Sequence, residues 1–82
     1  MKNKNQIKKL LKTLNNDVEL TNDGVKELFD LIKRSDDKET NDDYKNHMVR
    51  AKSELTTPDE YSAFKALHEI NQALLLVGIK YY

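Results

Sequence analysis

The two histidines carry the most obvious chemistry in this chain, because imidazole binds metals and transfers protons near neutral pH. His68 and Glu69 begin the pattern of a zinc-protease helix, in which two histidines four residues apart hold the metal. Gln72 stands where the second histidine is needed. His47 belongs to a different predicted helix, and the chain has no cysteine. We therefore expect two incidental histidines and no metal site.

The acidic run from Asp36 to Asp43 could supply oxygen ligands to calcium. A calcium-binding loop needs glycine at its sixth position and glutamate at its twelfth. A loop starting at Asp37 has Asp42 and Met48 at those positions, and a start one residue earlier fails at the same two places. The run is interpreted as a solvated linker that leads into the acidic first turn of a helix.

Catalytic motifs are missing from the sequence. Gly24 and Gly78 stand alone, so no glycine-rich loop can cradle a phosphate, and no cysteine or serine-centred turn offers a nucleophile. The carboxylates all lie in polar stretches, where nothing predicts the desolvation that raises a pKa. We expect a protein that is not an enzyme and that uses no cofactor.

Charge is segregated along a chain whose net charge is zero. Residues 1–12 hold five lysines and no acid, whereas residues 13–43 are strongly acidic. The simplest interpretation is that the basic first helix lies near the acidic middle and is neutralised by it. The alternative is a small DNA-binding regulator that uses helix 1 or the basic edge of helix 3. The neutral total and the presence of only two arginines argue against that alternative. An anionic membrane surface is a further alternative for helix 1.

Two amphipathic helices open the chain. The i, i+3, i+4, i+7 spacing of Ile7, Leu10, Leu11 and Leu14 recurs eighteen residues later in Val25, Leu28, Phe29 and Ile32. The stretch Asn15-Asn16-Asp17 predicts a turn between them, and Thr21 is predicted to cap helix 2. So short a connection favours an antiparallel helical hairpin.

Two further helices are predicted. Thr40 is expected to cap helix 3, whose buried stripe would be Tyr44, Met48, Ala51 and Leu55. Thr57 as cap, Pro58 at the first helical position and Glu60 as its capping-box partner predict the start of helix 4. Helix 4 is apolar over an unusually wide arc, and Gly78 is predicted to end it.

The predicted fold is all-α, a compact antiparallel bundle of four short helices with the C-terminal helix central. One domain spans residues 1–82, since a chain of this length has room for a single small core. The predicted core is Ile7, Leu10, Leu11, Leu14, Val25, Leu28, Phe29, Ile32, Met48, Leu55, Phe64, Leu67, Leu74 and Leu75.

The end of the chain has more apolar surface than this bundle needs. Aromatic anchors beside a charged rim are typical of protein interfaces. We therefore predict a non-enzymatic module that occludes a protein partner, with a structural homodimer as an alternative use of the same surface. The predicted contact residues are Leu76, Ile79, Tyr81, Tyr82, Lys8, Lys9 and Lys12.

The length and four-helix pattern resemble the small helical bundles that serve as bacteriocin immunity proteins. Small phage-encoded inhibitors of host machinery have a similar composition. This resemblance rests on size and helix pattern, with no shared motif, and it implies a bacterial or phage protein that blocks another protein. The longest apolar run is five residues, and lysines interrupt the N-terminal apolar stretch, so we expect a cytoplasmic protein without a membrane span.

Overall fold

Four helices form the fold of this protein, for which a computed structural model describes residues 1–36, 38 and 41–82. They are α1 (Lys4–Asn15), α2 (Asn22–Ser35), α3 (Asp42–Thr56) and α4 (Ser62–Leu76), and these residues include no strand. The radius of gyration is 11.5 Å. A compact chain of this length is expected at about 12 Å. The all-α fold of four short helices is confirmed. Its antiparallel arrangement and the central position of α4 stay predictions.

The turn between α1 and α2 forms as the sequence predicts. α1 ends at Asn15, and the side-chain amide of Asn16 donates to the Lys12 carbonyl at 2.8 Å. Thr21 caps α2, since its hydroxyl accepts a hydrogen bond from the Gly24 amide at 3.1 Å. Each side chain satisfies a backbone group that the end of a helix leaves without a helical partner.

The start of α3 is capped by a different residue from the one predicted. Thr40, together with Asp37 and Glu39 of the linker, lies outside the described residues. The Asn41 side chain accepts a hydrogen bond from the Tyr44 amide at 3.1 Å and so caps the helix. Tyr44 is buried with Met48 and Ala51, which confirms the predicted apolar stripe of α3.

The predicted start of α4 is wrong by a few residues. Thr57 completes the end of α3 instead, because its hydroxyl donates to the Ser53 carbonyl at 3.1 Å. Asp59 holds the turn that precedes α4: its carboxylate accepts from the Tyr61 amide at 2.8 Å, and its own amide donates to the Ser62 hydroxyl. Tyr61 is the N-cap residue of α4, and its side chain makes no capping hydrogen bond. The predicted capping box therefore does not form.

The predicted core is largely confirmed. The exceptions are Leu10, Leu55 and Leu75, which are only partly buried, and Phe64, which is 53% exposed. On α4 the buried residues cover an arc of about 180°, and Phe64 projects just outside it. Small side chains fill much of that buried face. They are Ser62, Ala63, Ala66 and Ala73.

A reciprocal pair of amides links α1 to α4. Asn15 donates to the Asn71 side-chain oxygen at 2.9 Å, and Asn71 donates back to the Asn15 side-chain oxygen at 2.8 Å. Asn15 also donates to the Leu11 carbonyl at 2.8 Å. Asn71 is only 8% exposed, so the pair supplies the partner that a buried amide needs.

α4 ends in a Schellman motif, a pair of hydrogen bonds that closes the C-terminus of a helix. Gly78 has a φ of 83°, in the left-handed region that only glycine adopts without strain. Its amide donates to the Leu75 carbonyl at 3.2 Å, and the Ile79 amide donates to the Leu74 carbonyl at 2.9 Å. The motif turns the chain back onto the bundle and buries the Ile79 side chain, which is 4% exposed.

Candidate protein-binding surfaces

The C-terminal residues predicted to contact a partner have very different exposures. Leu76 is 46% exposed and Tyr82 is 71% exposed, whereas Tyr81 packs partly against the core. Ile79 belongs to the core itself, because the Schellman motif holds it there. Unlike the sequence prediction, Ile79 thus presents almost no surface to a partner, and the accessible apolar surface of the tail comes from Leu76 and Tyr82.

The last three side chains contact one another. The Tyr81 and Tyr82 rings meet edge to face, with 5.1 Å between their centroids. The Lys80 ammonium lies 5.8 Å from the centroid of the Tyr82 ring, close enough for a cation–π contact. At an exposed site, each of these two contacts stabilises the structure by about 1 kcal/mol or less. The tail therefore presents an aromatic group beside a positive charge.

The three lysines predicted as contacts lie together on the exposed side of α1. Lys8, Lys9 and Lys12 project within an arc of about 100°, away from the buried Ile7 and Leu11. Within the described residues none of the three lysines forms an ion pair. No ion pair there joins α1 to the acidic middle of the chain. Nor does a hydrogen bond or ion pair there join the lysines to the tail.

A third surface, not predicted from the sequence, lies between α3 and α4. We call it the α3–α4 groove; its volume is about 500 Å³, and it is lined by Arg50, Ser53, Glu54, Phe64, Lys65, His68 and Glu69. A hollow of about 200 Å³ lies on the other side of Phe64 and His68, against the turn that follows α1. Phe64 therefore forms a ridge between two depressions. Tyr61, one turn before it, is 58% exposed.

Glu69 holds the charged side chains at the edge of this groove. One of its carboxylate oxygens lies 2.7 Å from His47 Nδ1 and 3.1 Å from Arg50 Nε. Partial burial raises the pKa of Glu69, but the hydrogen bonds from His47 and Arg50 outweigh it, so the pKa lies below its ordinary value. Arg50 Nη2 also lies 3.0 Å from His47 Nδ1. His47 Nδ1 donates to Glu69 if it carries the proton, and it accepts from Arg50 if it does not.

The two histidines have separate surroundings. His47 is engaged by Glu69 and Arg50, whereas His68 is exposed in the α3–α4 groove. Over residues 1–36, 38 and 41–82, no group of three or more His, Cys, Asp or Glu side chains is arranged to hold a metal ion. None of the helices in the same residues has the length and apolar content that a membrane span requires.

The wide apolar arc of helix 4 predicts a core position for Phe64, whereas the ring projects just outside the buried face. The spacing of Ala63, Ala66 and Ala73 marks the buried face in the sequence, since small residues allow two helices to approach closely. Comparisons with models of known protein families, with curated proteins and with solved structures find no match to this chain.

Proposed function

We propose that this protein is a non-enzymatic binding module of the inhibitor or immunity type, which acts by occluding a site on a protein partner. We further propose that it works in the bacterial cytoplasm and is encoded by a bacterium, a phage or another mobile element. The observation that supports binding best is the exposure of Phe64, 53%, on the most apolar helix of the chain. About half of the ring surface is therefore available to a partner.

The surroundings of Phe64 suit a protein interface. Aromatic residues and arginine are enriched at binding hot spots, usually inside a rim of polar residues. Phe64 and Tyr61 supply aromatic surface, while Arg50, Lys65 and Glu69 supply the charged rim. Because Glu69 already holds Arg50 in place, less side-chain entropy is lost when a partner binds.

The tail and α1 form a second proposed contact region. It consists of the accessible Leu76 and Tyr82, with Lys8, Lys9 and Lys12 as the basic contribution. Tyr82 serves as an internal comparison with Phe64, because both are exposed aromatic residues of similar size.

Affinity capture tests the proposal and separates the two surfaces. The wild-type chain, Phe64→Ala and Tyr82→Ala are each used as bait in extract from the native host and from its competitors, with proteins identified by mass spectrometry. We expect at least one protein to be captured by the wild-type chain and by Tyr82→Ala but not by Phe64→Ala. Loss with Tyr82→Ala alone would assign binding to the tail. If every captured protein is retained by both variants, neither surface is the binding site.

Light scattering tests the alternative of a structural homodimer. A dimer that persists on dilution and becomes monomeric in Phe64→Ala would assign the exposed ring to self-association. We expect a monomer for the wild-type chain and for both variants.

A further inference from the structure

A groove between α2 and α3 has a different character from the surfaces above. Two neighbouring hollows of about 540 Å³ and 350 Å³ lie side by side between α2 and α3, and both are lined by Phe29 and Lys52. We call the two hollows together the α2–α3 groove. One end lies between Lys33 and Lys45, and the other end lies beside Lys26 and Leu55.

Lysines border this groove at regular helical spacing. Lys26 and Lys33 are seven residues apart on α2, and Lys45 and Lys52 are seven residues apart on α3. Seven residues make about two turns, or about 10.5 Å along each helix. All four lysines are exposed, and within the described part of the chain none forms an ion pair.

Acidic residues only partly offset this positive charge. Asp30 and Asp36 also line the groove, one on each hollow. Lys38 lines it as well, so among the described lining residues five lysines stand against two carboxylates. This part of the lining therefore carries a net positive charge, although the chain as a whole has none.

The floor between the lysines is apolar. On α2, Phe29 lies between Lys26 and Lys33 in sequence, and on α3 Met48 and Val49 lie between Lys45 and Lys52. Phe29 and Met48 are buried, but Val49 is 66% exposed. The accessible apolar surface of the groove therefore comes from Val49, with the partly buried Leu55 at one end, and lysines border it on both helices.

We propose that the α2–α3 groove binds an amphipathic helix of a partner protein whose apolar face is bordered by acidic residues. Carboxylates seven residues apart on such a helix match the spacing of both pairs of lysines. Its apolar residues would cover Val49 and the floor, as in other complexes where a helix lies in a groove. A nucleic-acid backbone would meet the lysines but would leave the apolar surface of the groove uncovered. The inference does not depend on the α3–α4 groove being a binding site.

Fluorescence anisotropy with a designed peptide tests the proposal. The probe is a labelled helix of Leu, Ala and Glu about five turns long, with leucines at i, i+3, i+4 and i+7 and glutamates beside them. We expect saturable binding that weakens as salt is raised, because exposed charges are screened. A peptide of the same composition in scrambled order should bind much more weakly, since it cannot present leucine and glutamate on one face.

Variants of matched charge locate the binding site. Lys33→Glu/Lys52→Glu should lower the affinity for the ordered peptide by about tenfold or more, because like charges placed at an interface are strongly unfavourable. Lys2→Glu/Lys4→Glu makes the same charge change at the start of α1, outside every proposed contact surface, and should keep most of the affinity. Val49→Ser should weaken binding without changing its salt dependence. Circular dichroism is expected to show the same helix content for every variant, since all the replaced side chains are exposed.

Three results would overturn the proposal. Equal affinity for ordered and scrambled peptides would mean that charge alone is recognised. Equal loss in the α1 control and in the groove variant would place the interaction elsewhere. Tighter binding of a short DNA duplex at the same salt, lost in Lys33→Glu/Lys52→Glu, would make the groove a phosphate-binding surface.

Discussion

Replacing Ile79 by alanine tests whether the C-terminal turn is part of the folded core. Ile79 is 4% exposed, and truncation of a buried isoleucine to alanine costs about 2 to 5 kcal/mol. Because Ile79 follows the end of α4 and lies outside the helices, where neighbours can relax, we expect the lower part of that range, about 2 to 3 kcal/mol. A domain of this size has a total free energy of unfolding of about 4 to 12 kcal/mol. The single change would therefore remove a large share of the stability.

Urea unfolding followed by far-ultraviolet circular dichroism measures this effect. The midpoint should fall while the slope of the transition stays the same, because a change of midpoint alone indicates a change of stability. In thermal unfolding, each kcal/mol corresponds to a shift of about 4 to 8 °C for a domain of this size, so we expect a decrease of about 8 to 24 °C.

Leu76→Ala is the matched control for this measurement. Leu76 also belongs to the apolar end of the chain but is 46% exposed, so its truncation should cost less than about 1 kcal/mol. If the two variants unfold alike, or if Ile79→Ala unfolds like the wild-type chain, then Ile79 is not held in the core in solution and the Schellman motif is frayed.

Four further changes test other parts of the fold. Phe64→Ala should lower the free energy of unfolding by less than about 1 kcal/mol, because the ring is 53% exposed. Asn71→Ala should cost about 1 to 3 kcal/mol, since it leaves the Asn15 amide without its partner. Gly78→Ala should cost about 1 to 2 kcal/mol and Gly78→Asn less, because asparagine tolerates a positive φ better than alanine. Each of these effects is measured by urea unfolding. Glu69→Gln should make stability less sensitive to acid, measured by thermal unfolding at a series of pH values.

The sign of the Glu69 effect follows from its lowered pKa. Its ionised form is stabilised in the folded state, so the contribution is fully present above the ordinary pKa of 4.5 and is lost as the pH falls through the lower folded value. The wild-type chain should lose stability across that window more steeply than Glu69→Gln. Parallel curves for the two proteins would show that the contacts with His47 and Arg50 do not stabilise the fold.

The other three tests have equally specific contrary results. A cost for Phe64→Ala as large as that of a core truncation would place the ring inside the bundle. An Asn71→Ala variant as stable as the wild-type chain would mean that the amide pair does not form in solution. Equal costs for Gly78→Ala and Gly78→Asn would show that the positive φ of this residue is not what limits substitution.

Local patterns predict much of this fold. Two local features can be predicted from the sequence, because they depend on neighbours within one or two turns. They are the apolar spacing of α1 and α2 and the cap at Thr21. The start of α4 is also a local feature, but the sequence pattern misplaces it. Thr57 belongs to the end of α3, where its hydroxyl donates to the Ser53 carbonyl, and α4 begins at Ser62.

Features that depend on tertiary packing are harder to predict from the sequence. The exposure of Phe64 depends on which face of α4 the rest of the bundle covers, and the pairing of Asn15 with Asn71 joins residues far apart in sequence. The burial of Ile79 is an intermediate case, because glycine followed by an apolar residue is a pattern of the Schellman motif. The lysine spacing of α2 and α3 is present in the sequence, but only the fold shows that the two helices border one groove.

The amide pair between Asn15 and Asn71 bears on how the chain avoids misfolding. α1 and α2 have the same apolar spacing, eighteen residues apart, so hydrophobic burial alone would barely distinguish the native arrangement from one in which they exchange places. The residue of α2 that corresponds to Asn15 is Lys33. If α2 took the place of α1, Lys33 would lie near Asn71, and the Asn71 side chain would have no reciprocal amide partner. Burial of the apolar residues of α2 would not offset the cost of that unpaired amide. One polar pair thus assigns two helices of similar apolar pattern to different positions in the bundle.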